Sequence, residues 1–444
     1  MSILSLSEQT TTPYQLLSLP QKDALAKEFV GKPLNELRTP AFVIDRSIFA
    51  QNCARMHQKA ADWGAGFRAH VKTHKTAEGT KLQLVSTADR TSAVVVSTLM
   101  EAWQVVNAGL VADGTVKDIL YGLPVAINKI ADLSSLWETV STYGAVVRLL
   151  VDHPKQIEAL EAFEDSRLAP RRWSIFVKVD GGQKRAGVSP GSPGSPGFEA
   201  LLKTIEASPA VSVYGFYCHA GNSYASTSES EASTFLSSEV EAVNTAAEVA
   251  MTVAPTLVPD PAAGKSRFVL SVGSTPTAHS ASSEAKARLS SMLHGDLELH
   301  AGNYPVLDLQ QLHTSLVTKD RIAQRVIATV ISYYPGRGSD GSDEAICDAG
   351  AIAMSKDTGP SGGFGDVVGR PWRLGRVSQE HGILTRDKAS PENDESLEVG
   401  DIIQIVGQHA CLISAAYPWY YVVDSAVEGG TDKVVDVWVP WKGW

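Results

Sequence analysis

The sequence is short of cysteine and of positive charge. Only four of its 444 residues are cysteines, and no two of them form a Cys-x-x-Cys pair. So few cysteines in so long a chain exclude a disulfide-built secreted scaffold, and we expect a reduced, cytoplasmic protein. Lysine and arginine number 39 against 49 aspartates and glutamates, a formal net charge of −10. Without a basic block, this balance argues against nucleic acid as a partner and favours small-molecule substrates.

Long uncharged runs are also scarce. The segment from Ile402 to Val423 lacks Asp, Glu, Lys and Arg, and it is long enough to span a bilayer. It contains Gln404, Gln408, His409 and Pro418, which favour two short strands around a turn over a membrane span. The N-terminus has no basic segment followed by an apolar one, so no secretory signal is predicted. We therefore expect no membrane association.

What the sequence does contain is an alternation of short apolar runs with helical patterns. Hydrophobic residues make up 43 % of the chain, enough for a large core. Eight strand-like segments separated by helix-like ones, over about 240 residues, predict a (β/α)8 TIM-type barrel. A doubly wound open sheet is the alternative. The predicted strands are Ala41–Asp45, Phe67–Lys72, Ser92–Val96, Asp118–Tyr121, Val146–Asp152, Ser174–Asp180, Val211–His219 and Phe268–Val272.

The pattern changes near residue 320, where strands follow one another with turns and little helix between them. This predicts a smaller, mostly antiparallel β-domain. We place the barrel at residues 33–318 and the β-domain at 319–444, with residues 1–32 packed on the latter. The predicted strands of the second domain are Arg325–Tyr334, Ala345–Asp348, Asp401–Val406, Ala410–Ser414, Tyr420–Asp424 and Val434–Val439.

Residues that can carry chemistry gather at the predicted strand ends, where (β/α)8 barrels place their active sites. The second strand ends near His70, Lys72 and His74. Because alternate residues of an extended segment share a face, we expect these three side chains to point the same way. A lysine aimed into a barrel mouth is suited to bind a carbonyl group covalently. A solvated basic turn would explain the same segment.

Three further strand ends add complementary groups. Arg185 follows the sixth strand, and Tyr217 and Tyr224 mark the seventh. The eighth runs into Gly273-Ser274-Thr275, small residues whose free N–H groups can hold a phosphate. Each segment alone reads as an ordinary turn after a strand. Together they are the equipment for pyridoxal 5'-phosphate (PLP).

Nine segments, in order along the chain from about residue 33 to 425, resemble one group of enzymes. They are TPAFVIDRS (39–47), FRAHVKTHKT (67–76), VKVDGGQKRAGV (177–188), GFYCHAGNSY (215–224), SVGSTPT (271–277), LELHAGNYPVLD (297–308), DAGAIAMSKDTGP (348–360), EHG (380–382) and GQHACL (407–412). The chain resembles the fold-type III PLP enzymes, which share an alanine-racemase-like barrel. Within them it is similar to the D-serine dehydratase and D-threonine aldolase group.

The resemblance implies a role for each residue at the barrel mouth. Lys72 would hold PLP covalently, and Arg185 would contact its phenolic oxygen. Tyr217 and Tyr224 would contact the cofactor, and Gly273, Ser274 and Thr275 would bind its phosphate. One departure concerns the pyridine nitrogen. Alanine racemases place an Arg-Pro-Gly segment there, whereas this chain has His300-Ala301-Gly302.

The C-terminal domain contains a candidate metal site. His409 and Cys411 are one residue apart on a predicted strand, so their side chains should share a face. Imidazole with thiolate favours Zn²⁺ over harder ions. From the residues alone, two ligands make a weak metal motif, and a buried cysteine beside a structural histidine is the better explanation of the pair. The resemblance favours the metal, because zinc-dependent dehydratases of this group carry His-x-Cys here and the aldolases tend to carry a carboxylate second.

These features together imply a PLP- and zinc-dependent lyase that converts D-serine into pyruvate and ammonia. By the same resemblance it would be a homodimer whose sites take residues from both subunits. Two alternatives stay open. A D-threonine aldolase would use the same lysine and cofactor, and a non-catalytic PLP-binding protein would use the same barrel. The latter proteins are single barrels without a β-domain.

Overall fold

The computed structural model describes residues 18–191, 196–259, 267–282, 293–386 and 396–444. Its strands are β1 (Ala41–Asp45), β2 (Gly66–His70), β3 (Ala93–Val96), β4 (Asp118–Pro124), β5 (Val146–Val151), β6 (Trp173–Lys178), β7 (Val211–Tyr217), β8 (Phe268–Val272), β9 (Gly295–Ala301), β10 (Gln324–Tyr334), β11 (Glu344–Cys347), β12 (Gly365–Val367), β13 (Trp372–Val377), β14 (Gly382–Arg386), β15 (Ile402–Gly407), β16 (Tyr420–Val423) and β17 (Asp436–Trp438). Its α-helices are α1 (Lys22–Phe29), α2 (Arg46–Trp63), α3 (Ala77–Leu84), α4 (Leu99–Asn107), α5 (Ile130–Ser141), α6 (Pro154–Asp165), α7 (Pro196–Ala207), α8 (Glu229–Val253), α9 (Thr275–His279), α10 (Leu309–His313), α11 (Ala351–Met354) and α12 (Ala410–Ala416).

A closed parallel barrel forms the first architectural unit. In the described part of the chain, strands β2 to β9 pair in sequence order, and β9 closes the barrel against β2. Runs such as Val94–Val96 are buried, as expected for strands covered on both faces. The predicted (β/α)8 barrel with an antiparallel β-domain is thus confirmed, and the open sheet is excluded.

One predicted barrel strand is wrong. Ala41–Asp45 pairs antiparallel with β10 and parallel with β16, so it belongs to the sheet of the second domain. The eighth barrel strand is instead Gly295–Ala301, which the sequence pattern did not reveal. All five residues of β1 are buried, and a buried strand has the same apolar pattern in either setting. The strand that precedes Lys72 is therefore the first of the barrel.

A largely antiparallel sheet forms the second unit. Among the described residues its strand order is β11-β14-β13-β12-β15-β10-β1-β16-β17. Helix α1 packs beside its last strands, and the Phe29 ring meets Tyr421 edge-on at 5.1 Å. Residues 1–17 lie outside the described part of the chain. Strands β12, β13 and β14 are additional to those predicted.

The segment around the candidate metal pair also differs from the prediction. Ala410–Ser414 is not a strand but part of helix α12, and His409 is the N-cap residue of that helix. Cys411 therefore lies in the first helical turn rather than on a strand face shared with His409. Among the described residues, no helix has the length and apolar character needed to cross a membrane.

Charged side chains are buried inside the barrel beneath its mouth. Arg68 is fully buried, and its guanidinium donates to both oxygens of Glu298, at 2.8 and 3.0 Å. It also donates to Asp118 at 2.7 Å, as does Arg148 from the other side. The Arg68 guanidinium lies 5.6 Å from the centre of the Phe176 ring. The charges are therefore compensated within the barrel, as buried ions must be.

Candidate active site

Lys72 lies just beyond the end of β2 and lines a cavity at the barrel mouth. The cavity holds about 600 Å³ of open space, and its walls include His70, Arg185, Tyr217 and His219. The structure therefore brings together the predicted lysine, arginine and first tyrosine. These residues come from the ends of three different strands, as expected for a barrel active site.

His74 does not share the cavity, contrary to the expected common face with His70 and Lys72. The chain turns directly after β2, where the Lys75 amide donates to the Val71 carbonyl at 2.9 Å. His74 is thereby buried away from the mouth, where its Nε2 lies 2.7 Å from the side-chain oxygen of Gln83. The common face was expected for an extended segment, and the chain is not extended here because it turns after β2.

Two neutral histidines line the cavity beside the lysine, and a third, His300, lies behind Tyr217. Burial, with the nearby charge of Lys72, holds the pKa of His70 and of His219 well below its usual range. His219 Nδ1 donates to the Gly273 carbonyl at 2.7 Å. Burial, with His219 and Lys178, likewise lowers the pKa of His300. The mouth is therefore lined by uncharged imidazoles, although it carries cationic side chains.

The loop after β8 packs tightly against β9, and its Gly273 carbonyl contacts His219 of the cavity wall. Gly273 has φ +137°, and a Cβ there would lie 2.2 Å from the His300 carbonyl oxygen. Ser274 caps helix α9 reciprocally with Thr277, and its hydroxyl lies 2.7 Å from that of Ser223. The loop thus presents clustered hydroxyl groups. Some of its backbone N–H groups form hydrogen bonds within the helix cap.

Tyr224 belongs to this same loop cluster. Its hydroxyl interacts with both the side chain and the backbone of Thr275, and burial raises its pKa. Tyr217 is also buried, which raises its pKa above the usual range. Both phenols are therefore held as neutral hydrogen-bonding groups. Tyr217, Tyr224 and the predicted phosphate loop converge on one end of the barrel.

His409 and Cys411 converge even though they do not share a strand. Burial lowers the pKa of His409, but a hydrogen bond and charge from Cys411, with Asp308 and Asp357, raise it to about 9. Burial raises the pKa of the Cys411 thiol, yet His409, Lys72 and Thr73 lower it overall. Each member of the pair therefore favours the charged form of the other, and the Lys72 charge acts on the same thiol.

The donor chemistry of this pair fits a borderline-soft metal ion such as Zn²⁺. His409 Nδ1 lies 2.6 Å from Asp357 Oδ2, which leaves Nε2 as the ligand atom, the usual arrangement of a metal-binding histidine. Among the described residues, no group of three or more His, Cys, Asp and Glu side chains could hold a metal. Two protein ligands leave positions for water or substrate.

The residues at the mouth also fit PLP. Lys72, Arg185 and His219 face one cavity, the Gly273 carbonyl accepts from His219, and the hydroxyl cluster lies on the same loop as Gly273. A carbonyl group and a phosphate group are the two ends of this cofactor that the chain must hold. The arrangement supplies a lysine for one and hydroxyl groups for the other.

Sequence reasoning missed three residues that complete the site. Asp357 orients His409, and Thr73 contacts Cys411 through its hydroxyl at 3.1 Å. Glu239 on α8 is buried, and its Oε1 accepts from the amides of Ala220 and Gly273, which ties the two cofactor-side loops together. Asp357 and Thr73 lie within matched segments, and Glu239 lies on the apolar face of its helix. These positions in the sequence are the features from which the three residues could have been predicted.

Comparisons with known proteins support this reading. A putative serine dehydratase domain matches residues 323–423, and the N-terminal domain of alanine racemase matches residues 44–258. The D-serine dehydratase of Schizosaccharomyces pombe is 44 % identical over 95 % of this chain and 96 % of its own length. The chain belongs to the D-serine dehydratase family. As a member it is a PLP-dependent ammonia-lyase.

A second family member and two solved structures are also similar to this chain along nearly its whole length. D-serine dehydratase of Saccharomyces cerevisiae is 36 % identical over 94 % of this chain and 99 % of its own length. A solved D-threo-3-hydroxyaspartate dehydratase carrying a histidine-to-alanine mutation superposes with a TM-score of 0.76 at 29 % identity, covering 95 % of this chain and 99 % of that one. A cysteine-to-alanine mutant of the same enzyme, in the metal-free form, gives 0.75 at 29 % identity, covering 93 % and 100 %.

Proposed function

We propose that this chain is a zinc-dependent D-serine dehydratase that converts D-serine into pyruvate and ammonia by α,β-elimination. The observation that carries the proposal is the meeting of Lys72 with the His409–Cys411 pair across the two domains. Thr73, the residue after Lys72, lies 3.1 Å from the Cys411 sulfur. A proton acceptor that lines the cavity and a candidate metal site thus lie close together, as loss of a β-hydroxyl requires.

The residues of the mouth divide the work between them. Lys72 holds the cofactor and then takes the α-proton of the substrate on Nζ. Arg185, Tyr217 and Tyr224 orient the cofactor, and the Gly273–Thr275 loop receives its phosphate. When bound, PLP delocalises the electron pair left on the α-carbon.

His409 and Cys411 would hold the metal, and Asp357 fixes the imidazole that binds it. Zn²⁺ at this position would act as a Lewis acid toward the β-hydroxyl, which is otherwise a poor leaving group. The two mutated residues of the solved hydroxyaspartate dehydratase lie two positions apart in that protein's numbering, as His409 and Cys411 do here. One of those mutants is described as metal-free, which supports a metal role for the pair.

A D-threonine aldolase would need the same lysine and cofactor, and Cys411 in place of a carboxylate favours the dehydratase. In a non-catalytic PLP-binding protein, the His409–Cys411 pair would have no functional role. We further propose that the chain acts as a cytoplasmic homodimer. The four cysteines are free thiols, consistent with a reducing compartment.

The deciding experiment is a product analysis. Purified protein is incubated with D-serine, L-serine and D-threonine, before and after treatment with EDTA. We expect pyruvate and ammonia from D-serine, none from L-serine, loss of turnover with EDTA and recovery with Zn²⁺. Glycine and acetaldehyde from D-threonine as the main products would establish the aldolase instead. Full turnover of D-serine by metal-free protein would refute the role of zinc.

A further inference from the structure

Thr73 connects the catalytic lysine with the helix that carries Cys411. The Thr73 hydroxyl lies 3.1 Å from the Cys411 sulfur and 3.2 Å from the Gly302 carbonyl oxygen. Its own carbonyl accepts a hydrogen bond from the Ser414 hydroxyl at 2.8 Å. Cys411 and Ser414 both belong to helix α12, so this helix contacts Thr73 at its side chain and at its backbone.

The surroundings of this contact are buried and hydrogen-bonded. Thr73 and Ser414 are each 2 % exposed. The Lys75 carbonyl accepts from the amide of Trp441 at 2.7 Å, which fixes the far end of the same turn to the second domain. A Cβ on Gly302 would lie 3.4 Å from Lys72 Cε, so the other hydroxyl partner of Thr73 borders the lysine as well.

The direction of the hydrogen bond follows from the partners. The Gly302 carbonyl can only accept, and a metal-bound cysteine sulfur has no proton to give. With a metal in place, the single proton of the Thr73 hydroxyl is therefore shared between these two acceptors, the Gly302 carbonyl and the Cys411 sulfur. Hydrogen bonds to ionised acceptors are stronger than neutral ones.

We propose that Thr73 is a positioning residue that holds the Cys411 sulfur for the metal and fixes the distance between that metal and Lys72. The inference rests on the proposed function, because it needs a metal at His409 and Cys411. Helix α12 and the turn Val71–Lys75 then behave as one unit, although they come from different domains.

The test compares metal binding in three variants. Thr73→Val keeps the shape but removes the hydroxyl, and we expect its dissociation constant for Zn²⁺ to rise roughly 10- to 100-fold. Thr73→Ser keeps the hydroxyl and should stay within about threefold of the wild type. Thr80→Val removes another buried hydroxyl, one that donates to the Thr76 carbonyl, and should leave zinc affinity unchanged. Affinity is measured by competition with a chromophoric chelator.

Spectra of the cobalt-substituted protein give a readout independent of turnover. The sulfur-to-cobalt charge-transfer band should shift or weaken in Thr73→Val, while the visible band of Lys72-bound cofactor persists and shows that the protein is folded. If Thr73→Val fails to fold, Ser414→Ala is the substitute test. This variant removes the hydrogen bond from the Ser414 hydroxyl to the Thr73 carbonyl. A several-fold loss of zinc affinity is expected there.

The possible results distinguish the positioning role of Thr73 from the proposed zinc-dependent function. If the wild type binds zinc and Thr73→Val, or Ser414→Ala in its place, binds it equally well with an unchanged cobalt spectrum, Thr73 has no positioning role and the proposed function stands. If the wild type itself binds no zinc, the proposed function fails and the inference with it.

Discussion

The rings of Tyr217 and His300 lie face to face, with their centres 4.1 Å apart and 11° between their planes. Behind this stack, His300 Nδ1 lies 3.0 Å from the Ser271 hydroxyl, which donates to Glu298 at 2.9 Å. The serine has one proton, and the carboxylate takes it. His300 must therefore carry its own proton on Nδ1, and its Nε2 is buried without a protein partner in the described structure.

We expect nitrogen NMR of labelled protein to show His300 neutral and protonated on Nδ1 at neutral pH and at about pH 6. Burial keeps its pKa well below the usual value, so acidification to that point should not charge it. Ser271→Ala removes the acceptor and should leave a mixture of the two neutral forms. Protonation on Nε2 in the wild type would contradict this account.

Covalent cofactor attachment should map to Lys72. Reduction with borohydride followed by peptide mapping is expected to find the pyridoxyl group on this residue. Lys72→Ala should lose the attachment and at least about 100-fold of turnover, because it also removes the general base. Lys178 lines the same cavity and Lys75 lies three residues on, so each serves as an internal control. A label on either one would overturn the assignment.

Metal binding should depend on both members of the His409–Cys411 pair. Elemental analysis is expected to find one zinc per chain in the wild type and little in His409→Ala or Cys411→Ala. Cys411→Asp should shift preference toward harder ions such as Mn²⁺. Cys347→Ala alters a buried cysteine in strand β11, away from the pair, and should keep the zinc. Zinc retained at full stoichiometry by His409→Ala would show that the metal lies elsewhere.

Glu239 should make stability depend on pH near neutrality. Burial raises its pKa from 4.5 to about 7 in the folded protein. The folded state therefore holds this proton more tightly, so its contribution is full below about pH 4.5 and is lost as the pH rises through about 7. The difference is on the order of 3 kcal/mol.

Glu239→Gln cannot ionise, and its amide oxygen can still accept from the Ala220 and Gly273 amides. We expect the urea midpoint of the wild type to fall from about pH 5 to pH 8 by more than that of the variant. Parallel pH profiles for the two proteins would mean that Glu239 does not titrate in this range.

Gly273→Ala should damage the site where another glycine substitution does not. The new Cβ would lie 2.2 Å from the His300 carbonyl oxygen, so the loop and β9 must separate. We expect weaker PLP binding in a titration of the apoprotein and a loss of stability of more than about 1 kcal/mol. Gly144 also has positive φ, at +71°, but nothing lies within 4 Å of an added Cβ. Gly144→Ala should therefore bind PLP normally, and equal loss in both variants would remove the steric argument.

The sequence predicted most barrel strands because their apolar runs are local signals. It missed Gly295–Ala301, where Glu298 and His300 interrupt the apolar pattern. These side chains face the barrel interior, and they are tolerated there because Arg68 and Ser271 on the neighbouring strands compensate them. Compensation between strands 230 residues apart leaves no mark on a local pattern.

The candidate site shows the same division. Lys72 and the His409–Cys411 spacing can be read from the chain, whereas the turn that buries His74 away from the cavity cannot. The helix that begins at Ala410 did leave a local signal. ACLISAA contains one β-branched residue and several alanines, so it has little preference for a strand. The meeting of Thr73 with Cys411 joins residues 338 positions apart and depends on domain packing.

Strand β1 has a consequence for how the two units are made. Its backbone is the link between β10 and β16, so residues 41–45 occupy an inner position in a sheet whose other strands lie beyond residue 323. During synthesis these residues emerge early and must wait for partners that leave the ribosome after the whole barrel sequence. A fragment starting at residue 319 would have its sheet split into two exposed edges. We therefore expect the β-domain to fold as an independent module only when strand β1 is supplied with it.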